Sequence, residues 1–437
     1  MKKYHFPQGG LVYEDEYAPL AISSTIACIP AVLVVPLMQH SGIQAIPVVS
    51  VGDTIHEGMV IGRAESKGSS NVHSPIPGRI VRMVRWRMSD GRESDAFVIR
   101  LSGSFQKLGK RPELFSWNGL SVHELQRMIA EKGVVETEEP GRPVNELLSH
   151  ARNSNRRNVL VLNAVIDDPW LASEKVLLAE RQAAVAEGVA IAMKVAAISQ
   201  VLIAVAFNDR KVVEPLVSLI EKFDVKATIV LVGSKYPQRN NRELFIALSA
   251  FTRNHSIEYD DFLLFNLSTT AAIFDAARYN QPMLERYISV GGASVKHPAV
   301  LRVRIGTRIG DAIAECGGFI EEASRIIIGS PLRGRAVFDL DTPITKTTQA
   351  VVALSAEQLG NLESHACISC GNCRTVCPVG LDPERLHKLS VLGRYKEAVD
   401  EGAADCHGCS CCAVVCPSRL PLRTTIMLSA ERRGGRA

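Results

Sequence analysis

The sequence has 437 residues, enough for about three or four domains. Its hydrophobic content of 46% is that of a globular protein, and a formal net charge of +4 is too small to indicate a nucleic-acid-binding surface. Most of its 11 cysteines are concentrated near the carboxyl terminus, and only Cys28 and Cys316 lie elsewhere. This distribution favours a metal centre in a reducing compartment over a disulfide framework.

No signal peptide is expected, because residues 1–7 do not lead into an uninterrupted apolar stretch. Two longer apolar segments are also poor membrane spans. Segment 21–38 contains Pro30 and Pro36, and segment 185–207 contains Glu187 and Lys194. The second segment is predicted to be a helix followed by a buried strand, so we expect no transmembrane segment in this chain.

The first two predicted units are an amino-terminal arm, residues 1–28, and an all-β module, residues 29–108. Short apolar runs alternate with turn residues in the second unit, as at Gly52-Asp53 and Gly78. This pattern resembles a lipoyl-like barrel-sandwich hybrid. A carrier of that type needs an exposed lysine at the hairpin tip, whereas the residues before this turn are Asn71, Val72 and His73. We therefore expect a structural, non-carrier module in which His73 is a strand residue and not a ligand.

Residues 109–252 alternate predicted strands with predicted helices, which indicates a Rossmann-like parallel α/β domain. Ligands of such sheets bind at the carboxyl ends of the strands. The candidate loops are those after Asn163, Phe207 and Val232. The predicted elements are helix 122–132, strand 158–163, helix 174–197, strand 201–207, helix 212–222 and strand 226–232.

Residues 253–345 begin with a predicted helix, 269–279, and continue in β-β-α-β order, which suggests a β-grasp module. Its predicted elements are strand 285–292, strand 300–305, helix 309–316 and strand 325–329. Residues 346–425 form the next predicted unit, and residues 426–437 form a tail that we expect to fray. The tail arginines Arg432, Arg433 and Arg436 are expected to be solvated.

The unit 346–425 contains two cysteine runs of the form C-x2-C-x2-C-x3-C-P, the ligand spacing of [4Fe–4S] clusters in two-cluster ferredoxins. In such proteins the fourth cysteine of each run binds the other cluster. The spacing therefore predicts two ligand sets: Cys367, Cys370, Cys373 and Cys416 for one cluster, and Cys406, Cys409, Cys412 and Cys377 for the other.

Two alternatives to iron–sulfur clusters are open. Structural zinc usually takes two separated C-x2-C pairs, and a disulfide framework is unusual in a long chain without a secretion signal. Cys411 departs from the spacing and is expected to be a spare thiol. His365 and His407 lie beside the runs, but neither is needed as a ligand when each cluster has four cysteines.

The residues between the runs predict helices. Asp382 is a candidate N-cap, with Pro383 at the first helical position and Glu384 in the first turn. A second short helix is predicted over 394–399. The clusters are thus expected in a small helical dicluster ferredoxin-type domain.

Taken together, the chain resembles the RnfC family, the peripheral iron–sulfur subunit of the Rnf ion-translocating ferredoxin:NAD⁺ oxidoreductase complex. The stretches that carry the resemblance run nearly end to end: 6–10, 51–78, 235–238, 304–308 with 316–318, 339–346 and both cysteine runs. The β-grasp module resembles the SLBB domain of this family. The resemblance implies an electron-transfer role, other Rnf-like subunits and a ferredoxin or similar redox protein as partners, and a cytoplasmic, peripheral position on the inner face of the cell membrane.

The segment 133–143 departs from the family pattern. The family has a glycine-rich Gly-x-Gly-Gly-Ala-Gly-Phe-Pro loop for FMN and NADH, whose main-chain N–H groups approach phosphate. Here Glu136, Glu138 and Glu139 occupy this loop. At ~4 Å and an effective dielectric near 20, each carboxylate would oppose a phosphate charge by roughly 4 kcal/mol. We therefore predict a degenerate flavin/NADH site, in which Asp168 and Tyr236 are the remaining candidate cofactor-binding residues.

Three functions follow from these observations. The first is an electron-transfer subunit with two [4Fe–4S] clusters and no NADH dehydrogenase activity of its own. The second is an FMN-dependent NADH dehydrogenase similar to a cobalamin reductase. The third is a non-catalytic docking scaffold. No catalytic triad, P-loop or HExxH motif is present in the sequence.

Overall fold

The computed structural model of the chain describes residues 4–88, 91–105, 113–154, 156, 158–254, 258–360 and 363–432. The described arm is not isolated from the rest of the molecule. Tyr4 forms a β-bridge with Val232, and Leu11 forms one with Tyr236.

The first module consists of short strands in two antiparallel sheets, as the alternation of apolar runs and turns predicts. The sheets have the strand orders β2-β8-β7-β4 and β3-β5-β6, and their facing side chains form one apolar core. His73 lies buried in a strand, as predicted. The strands of these two sheets are β2 (Val32–Pro36), β3 (Ile46–Pro47), β4 (Thr54–Ile55), β5 (Val60–Arg63), β6 (Val72–His73), β7 (Gly78–Arg87) and β8 (Glu93–Leu101), and the preceding strand β1 (Thr25–Ile26) belongs to the amino-terminal arm.

The second module, called here the α/β domain, is a four-stranded parallel sheet in the order β11-β10-β9-β12. Its strands are almost continuously apolar because helices cover both faces. The elements are α1 (Val122–Glu131), α2 (Val144–Asn153), β9 (Val159–Asn163), α3 (Ala172–Ala196), β10 (Gln200–Ala206), α4 (Arg210–Glu221), β11 (Lys226–Val232), α5 (Asn241–Asn254), β12 (Phe262–Asn266) and α6 (Leu267–Arg278).

Every predicted helix and strand of this domain is present within a few residues of its predicted bounds, and the structure adds α2, α5 and β12. Strand β12 pairs with β9 in parallel, so the sheet continues past the predicted boundary at residue 252. Apolar segment 185–207 is the end of α3 followed by β10, as predicted. In the part of the chain that the structure describes, no helix has the length and hydropathy needed to cross a bilayer.

The third module, the β-grasp domain, is a six-stranded mixed sheet in the order β1-β14-β13-β17-β15-β16, with one helix packed on it. Strand β1 of the amino-terminal arm pairs with β14, and β17 lies beyond the predicted boundary at residue 345. The sequence elements after α6 are β13 (Glu285–Gly291), β14 (Ala299–Arg304), α7 (Ile309–Glu315), β15 (Arg325–Ile328), β16 (Arg335–Val337) and β17 (Ala350–Leu354).

The cluster domain is a small helical unit, as predicted. Asp382 caps α10, since its carboxylate accepts from the Arg385 N–H at 3.2 Å, and Pro383 is the first helical residue. The helices are α8 (Ala356–Leu359), α9 (Asn372–Thr375), α10 (Pro383–Val391), α11 (Tyr395–Asp400), α12 (Cys411–Val414) and α13 (Leu422–Glu431).

The predicted start of the tail, residue 426, lies inside α13. Arg432 is exposed, as expected, and its guanidinium donates to the Tyr395 hydroxyl at 2.9 Å and lies 5.2 Å from the centre of that ring. Arg432, at the end of α13, thus contacts α11. Arg433 and Arg436 lie outside the described residues.

Candidate functional site

Two small cavities of the cluster domain are each lined by four cysteines, in the grouping that the spacing predicts. The two sets are Cys367, Cys370, Cys373 and Cys416 around one cavity, and Cys377, Cys406, Cys409 and Cys412 around the other. Four thiolates around one cavity are the donor set that a [4Fe–4S] cluster requires, so the residues present fit this group. Among the described residues, no three His, Cys, Asp or Glu side chains form a group that could hold a single metal ion. Ligation of clusters by these eight thiols stays a prediction.

The two cysteine runs have the same local backbone conformation. Each run has two residues in the left-handed region: Ser369 (φ 53°) and Gly371 (φ 77°) in the first, Gly408 (φ 68°) and Ser410 (φ 68°) in the second. In each run a glycine, Gly371 or Gly408, therefore occupies one of the two left-handed positions and a serine occupies the other. The tight turns wrap each run around its cavity.

The two cysteine sets differ in their exposure. Cys367 and Cys370 of the first set are exposed, whereas Cys377, Cys409 and Cys412 of the second are buried. The first cavity thus lies near the surface, and the second lies toward the other domains.

Residues of the other domains hold the second cysteine set. Tyr236 donates its hydroxyl to the Cys409 carbonyl at 3.0 Å, and the Gly10 N–H donates to the Val376 carbonyl at 2.9 Å. Gly9 lies so close to Cys377 that an added Cβ would be 2.6 Å from its main chain. Residues of segments 6–10 and 235–238 thus both contact the cluster domain and hold it against the rest of the chain.

A larger cavity of about 570 Å³ lies where the α/β, β-grasp and cluster domains meet. Its volume falls in the range of roughly 300–1,000 Å³ that is typical of ligand pockets. The predicted loops after Asn163 and Val232 line it, and so does the end of β12, whereas the loop after Phe207 does not. The opposite walls come from the other two domains: Ser330, Arg333 and Arg335 of the β-grasp domain, and His407, Gly408 and Arg423 of the cluster domain. His407, Gly408 and Arg423 also line the second cysteine cavity.

Both predicted cofactor-binding residues line the large cavity, but both already have partners within the chain. The Asp168 carboxylate accepts from the Trp170 N–H at 3.0 Å, and Tyr236 is engaged with Cys409. Burial raises the pKa of Asp168 to about 6 and that of its neighbour Asp167 to about 7. Each of the two carboxyl groups therefore keeps its proton to a higher pH than an exposed aspartate does.

The three glutamates of the loop 133–143 are each paired with an arginine. The pairs are Glu136 with Arg142 (2.7 Å), Glu138 with Arg239, and Glu139 with Arg335 (3.6 Å). The expectation of three uncompensated negative charges was therefore wrong. Arginines from the same loop, from the loop after β11 and from the β-grasp domain neutralise them.

Main-chain N–H groups of this loop donate to acceptors of the chain itself. The Thr137 N–H donates to Thr269 Oγ1 at 3.1 Å, and the N–H groups of Glu136 and Gly141 donate to carbonyls of the loop at 2.9 and 2.8 Å. A glycine-rich phosphate loop would offer such groups to a ligand. These three N–H groups are therefore not free to bind the phosphate of FMN.

Arg239 is the functional residue whose role the sequence did not reveal. It is 6% exposed, its Nε donates to the Glu138 carboxylate at 2.8 Å, and its Nη1 donates to the Val165 carbonyl at 2.8 Å. The sequence offered one signal. Glutamates replace the family's glycines in the loop 133–143, and Arg239 and Arg242 lie just after Pro237, where the family also tends to have glycine. Opposite charges that appear together at two such places indicate an ion pair.

Four family models match successive parts of the chain. They are described as the RnfC barrel sandwich hybrid domain (residues 14–104), the Nuo51 FMN-binding domain (129–275), the SLBB domain (287–337) and the 4Fe-4S dicluster domain (360–418). The predicted fold class and its order of modules are confirmed.

Several curated relatives resemble the chain over most of its length. A protein of Clostridium ljungdahlii, described as the C subunit of a proton-translocating ferredoxin:NAD(+) oxidoreductase complex, is 30% identical over 86% of this chain and 82% of its own length. The C subunit of an ion-translocating oxidoreductase complex of Rhodobacter capsulatus is 29% identical over 85% of this chain and 72% of its own. The C subunit of a Na(+)-translocating ferredoxin:NAD(+) oxidoreductase complex of Acetobacterium woodii is 25% identical over 86% and 85%.

A chain in the crystal structure of the NAD⁺-reducing [NiFe]-hydrogenase in the H2-reduced state superposes with a TM-score of 0.54. The match has 12% sequence identity and covers 74% of this chain and 64% of the other, which is less than two thirds of that chain. At this identity the likeness shows a shared fold alone.

Proposed function

Because this chain belongs to the RnfC family, we propose that it is the RnfC-type subunit of an ion-translocating ferredoxin:NAD⁺ oxidoreductase complex and relays electrons through two [4Fe–4S] clusters. The observation that carries this proposal is the grouping of eight cysteines around two cavities, four to each. A bound [4Fe–4S] cluster supplies one-electron redox chemistry, at a potential set by cluster type, hydrogen bonds to the sulfurs and solvent exposure.

The two cysteine sets have similar hydrogen bonds to sulfur but differ in their exposure to solvent. Main-chain N–H groups donate to one thiol of each set, from Ser369 to Cys367 Sγ at 3.4 Å and from Leu381 to Cys377 Sγ at 3.3 Å. Cys367 and Cys370 of the first set are exposed and thus accessible to a redox protein. Cys377, Cys409 and Cys412 of the second set are buried and face the domain junction. We propose that the first set exchanges electrons with the external partner.

We propose that the partners are the other subunits of an Rnf-like membrane complex and a ferredoxin or similar redox protein. The position that follows is peripheral, on the inner face of the cell membrane. The relatives named as subunits of proton- and sodium-translocating complexes support this assignment.

Two specific observations favour a flavoenzyme as the second candidate. The segment 129–275 matches an FMN-binding domain, and a cavity of ligand size lies at the carboxyl ends of its strands. Against it, three N–H groups of the loop 133–143 are not free to bind the phosphate. A docking scaffold is the third candidate, and it predicts clusters that no partner can reduce or oxidise.

The test is anaerobic purification of the full chain with measurement of iron, acid-labile sulfide and flavin. We expect about eight iron atoms and about eight sulfides per chain, and full reoxidation of the dithionite-reduced protein by a ferredoxin. Stoichiometric zinc in place of iron would refute the cluster assignment. Clusters that dithionite reduces but that no ferredoxin reoxidises would favour the scaffold.

A further inference from the structure

The Glu138 carboxylate lines the large cavity and is bound by donors from two other segments of the α/β domain. It accepts from Nε and Nη2 of Arg239 and from the Asn266 amide at 3.1 Å. Asn266 is the N-cap of α6, a helix of 12 residues, and its other amide atom accepts from the Thr269 N–H at 2.8 Å. A carboxylate at this place is stabilised by the positive end of the helix dipole as well as by the guanidinium.

The cation in this arrangement is fixed in place. Arg239 is 6% exposed, and its own N–H donates to Asp167 Oδ2 at 2.7 Å while Nη1 donates to the Val165 carbonyl. Burial opposes ionisation of Glu138, but the Arg239 charge and its hydrogen bonds outweigh burial and lower the pKa of Glu138. Glu138 is therefore an anion at neutral pH, held by three N–H donors.

We propose that the Glu138 carboxylate is a built-in anion that occupies the phosphate position of this cavity and closes it to FMN and other mononucleotides. The match of residues 129–275 to an FMN-binding domain indicates what the cavity would hold without this side chain. The N–H groups of Glu136, Thr137 and Gly141 are already used, and the donors that Glu138 takes are those of Arg239 and Asn266. This inference concerns the α/β domain alone and does not depend on electron relay by the clusters.

The inference predicts that removing one side chain creates a phosphate site. In the Glu138→Ala variant, Arg239 and Asn266 lose their anion while the cavity gains the volume of a carboxylate. We expect FMN, added to the anaerobically purified full chain and followed by its fluorescence, to bind this variant at least tenfold more tightly than the wild type. Riboflavin, which lacks the phosphate, should show no such gain, and inorganic phosphate should compete with FMN.

The matched controls come from the same loop. Glu136→Ala and Glu139→Ala each remove one negative charge but leave the pair between Glu138 and Arg239 intact, so we expect no gain in FMN binding. Glu138→Ala combined with Arg239→Leu should lose the gain. Glu138→Ser, which also removes the carboxylate and most of its volume, serves if the alanine variant does not fold, and it should bind FMN more tightly than the wild type.

Two results would overturn the inference. One is wild-type protein that purifies with FMN or binds it at about 10 μM. The other is a folded Glu138→Ser or Glu138→Ala variant with no gain over the two control variants. Iron and sulfide are measured in the same samples, so a failure of the cluster assignment is seen separately from a failure of this one.

Discussion

Lys346 is a buried cation that joins the barrel module to the loop 133–143. It is 1% exposed, and its Nζ donates to the Asn71 carbonyl at 2.8 Å and to the Gly133 carbonyl at 2.7 Å. Burial lowers the pKa of Lys346 to about 7. Its charge also helps to lower the pKa of two buried neighbours, His40 and His73. The folded protein therefore releases the Lys346 proton near neutral pH, while the unfolded chain keeps it.

The direction of the resulting pH dependence follows from the bound protons. Above about pH 7 the unfolded state binds more protons at this lysine than the folded state, so the free energy of unfolding rises with pH. One pKa unit corresponds to about 1.4 kcal/mol, so the Lys346 contribution between about pH 7 and about pH 9 is on the order of 2–3 kcal/mol. The whole chain of 437 residues has an unfolding entropy of roughly 0.9 kcal/mol/K, so for unfolding as one unit this contribution corresponds to about 2–3 °C in Tm.

The assay compares the wild type with Lys346→Met by calorimetry of the anaerobic holoprotein at several pH values in this window. His40 and His73, whose pKa values of about 4 and about 3 depend partly on Lys346, are neutral throughout this window, so the difference in Tm between the two proteins reports on Lys346. We expect this difference, wild type minus variant, to increase with pH. Lys194→Met is the matched control, because Lys194 Nζ also donates to two carbonyls, at 2.8 and 2.9 Å, but the residue is only partly buried. A Tm difference for Lys346→Met that stays flat or falls as pH rises would refute the reasoning.

Three further predictions concern the clusters and the α/β core. Cys411→Ala should leave the iron and sulfide content unchanged, whereas Cys412→Ala should lower both; equal losses in the two variants would contradict the ligand assignment. Gly188→Ala should lower the free energy of unfolding in urea by about 1–3 kcal/mol, because the new Cβ would be 2.0 Å from a main-chain oxygen of α6, and a stabilised variant would contradict that packing. Arg181→Met should lower the free energy of unfolding by about 3–5 kcal/mol in the same assay, because the Asp275 carboxylate loses its two guanidinium hydrogen bonds at 2.9 and 2.5 Å. The double variant with Asp275→Leu should recover part of that loss.

The order of modules and most helices and strands could be predicted because their signals are local. The strand Gln200–Ala206 is a continuous apolar run from Val201 onward, and Asp382 with Pro383 marks the start of α10. Elements with weaker local signals were missed. Strand β12 is short and leads directly into α6, with no loop to separate strand from helix.

The charges of the candidate site show the limit of this reasoning. The sequence shows glutamates in the loop 133–143, and from this alone we expected repulsion. Glu138 is instead neutralised by Arg239, which lies 101 positions further along the chain. The pairing of Glu138 with Arg239 depends on how two loops approach each other at the end of the sheet. No local sequence pattern predicts that approach.

The sequence by itself predicted which cysteines line each cavity of the cluster domain, because the spacing of three cysteines within one short turn is a local property. Only the tertiary structure decided how that domain is held and which groups of the large cavity are already paired. The arm residue Gly9 lies against Cys377, Lys346 reaches Asn71 across 275 positions, and Arg239 reaches Glu138. The first two contacts exist because separate parts of the chain pack on one another, and the third because two loops of the α/β domain meet. The energy of an ion pair or a buried N–H depends on the partner that this packing supplies.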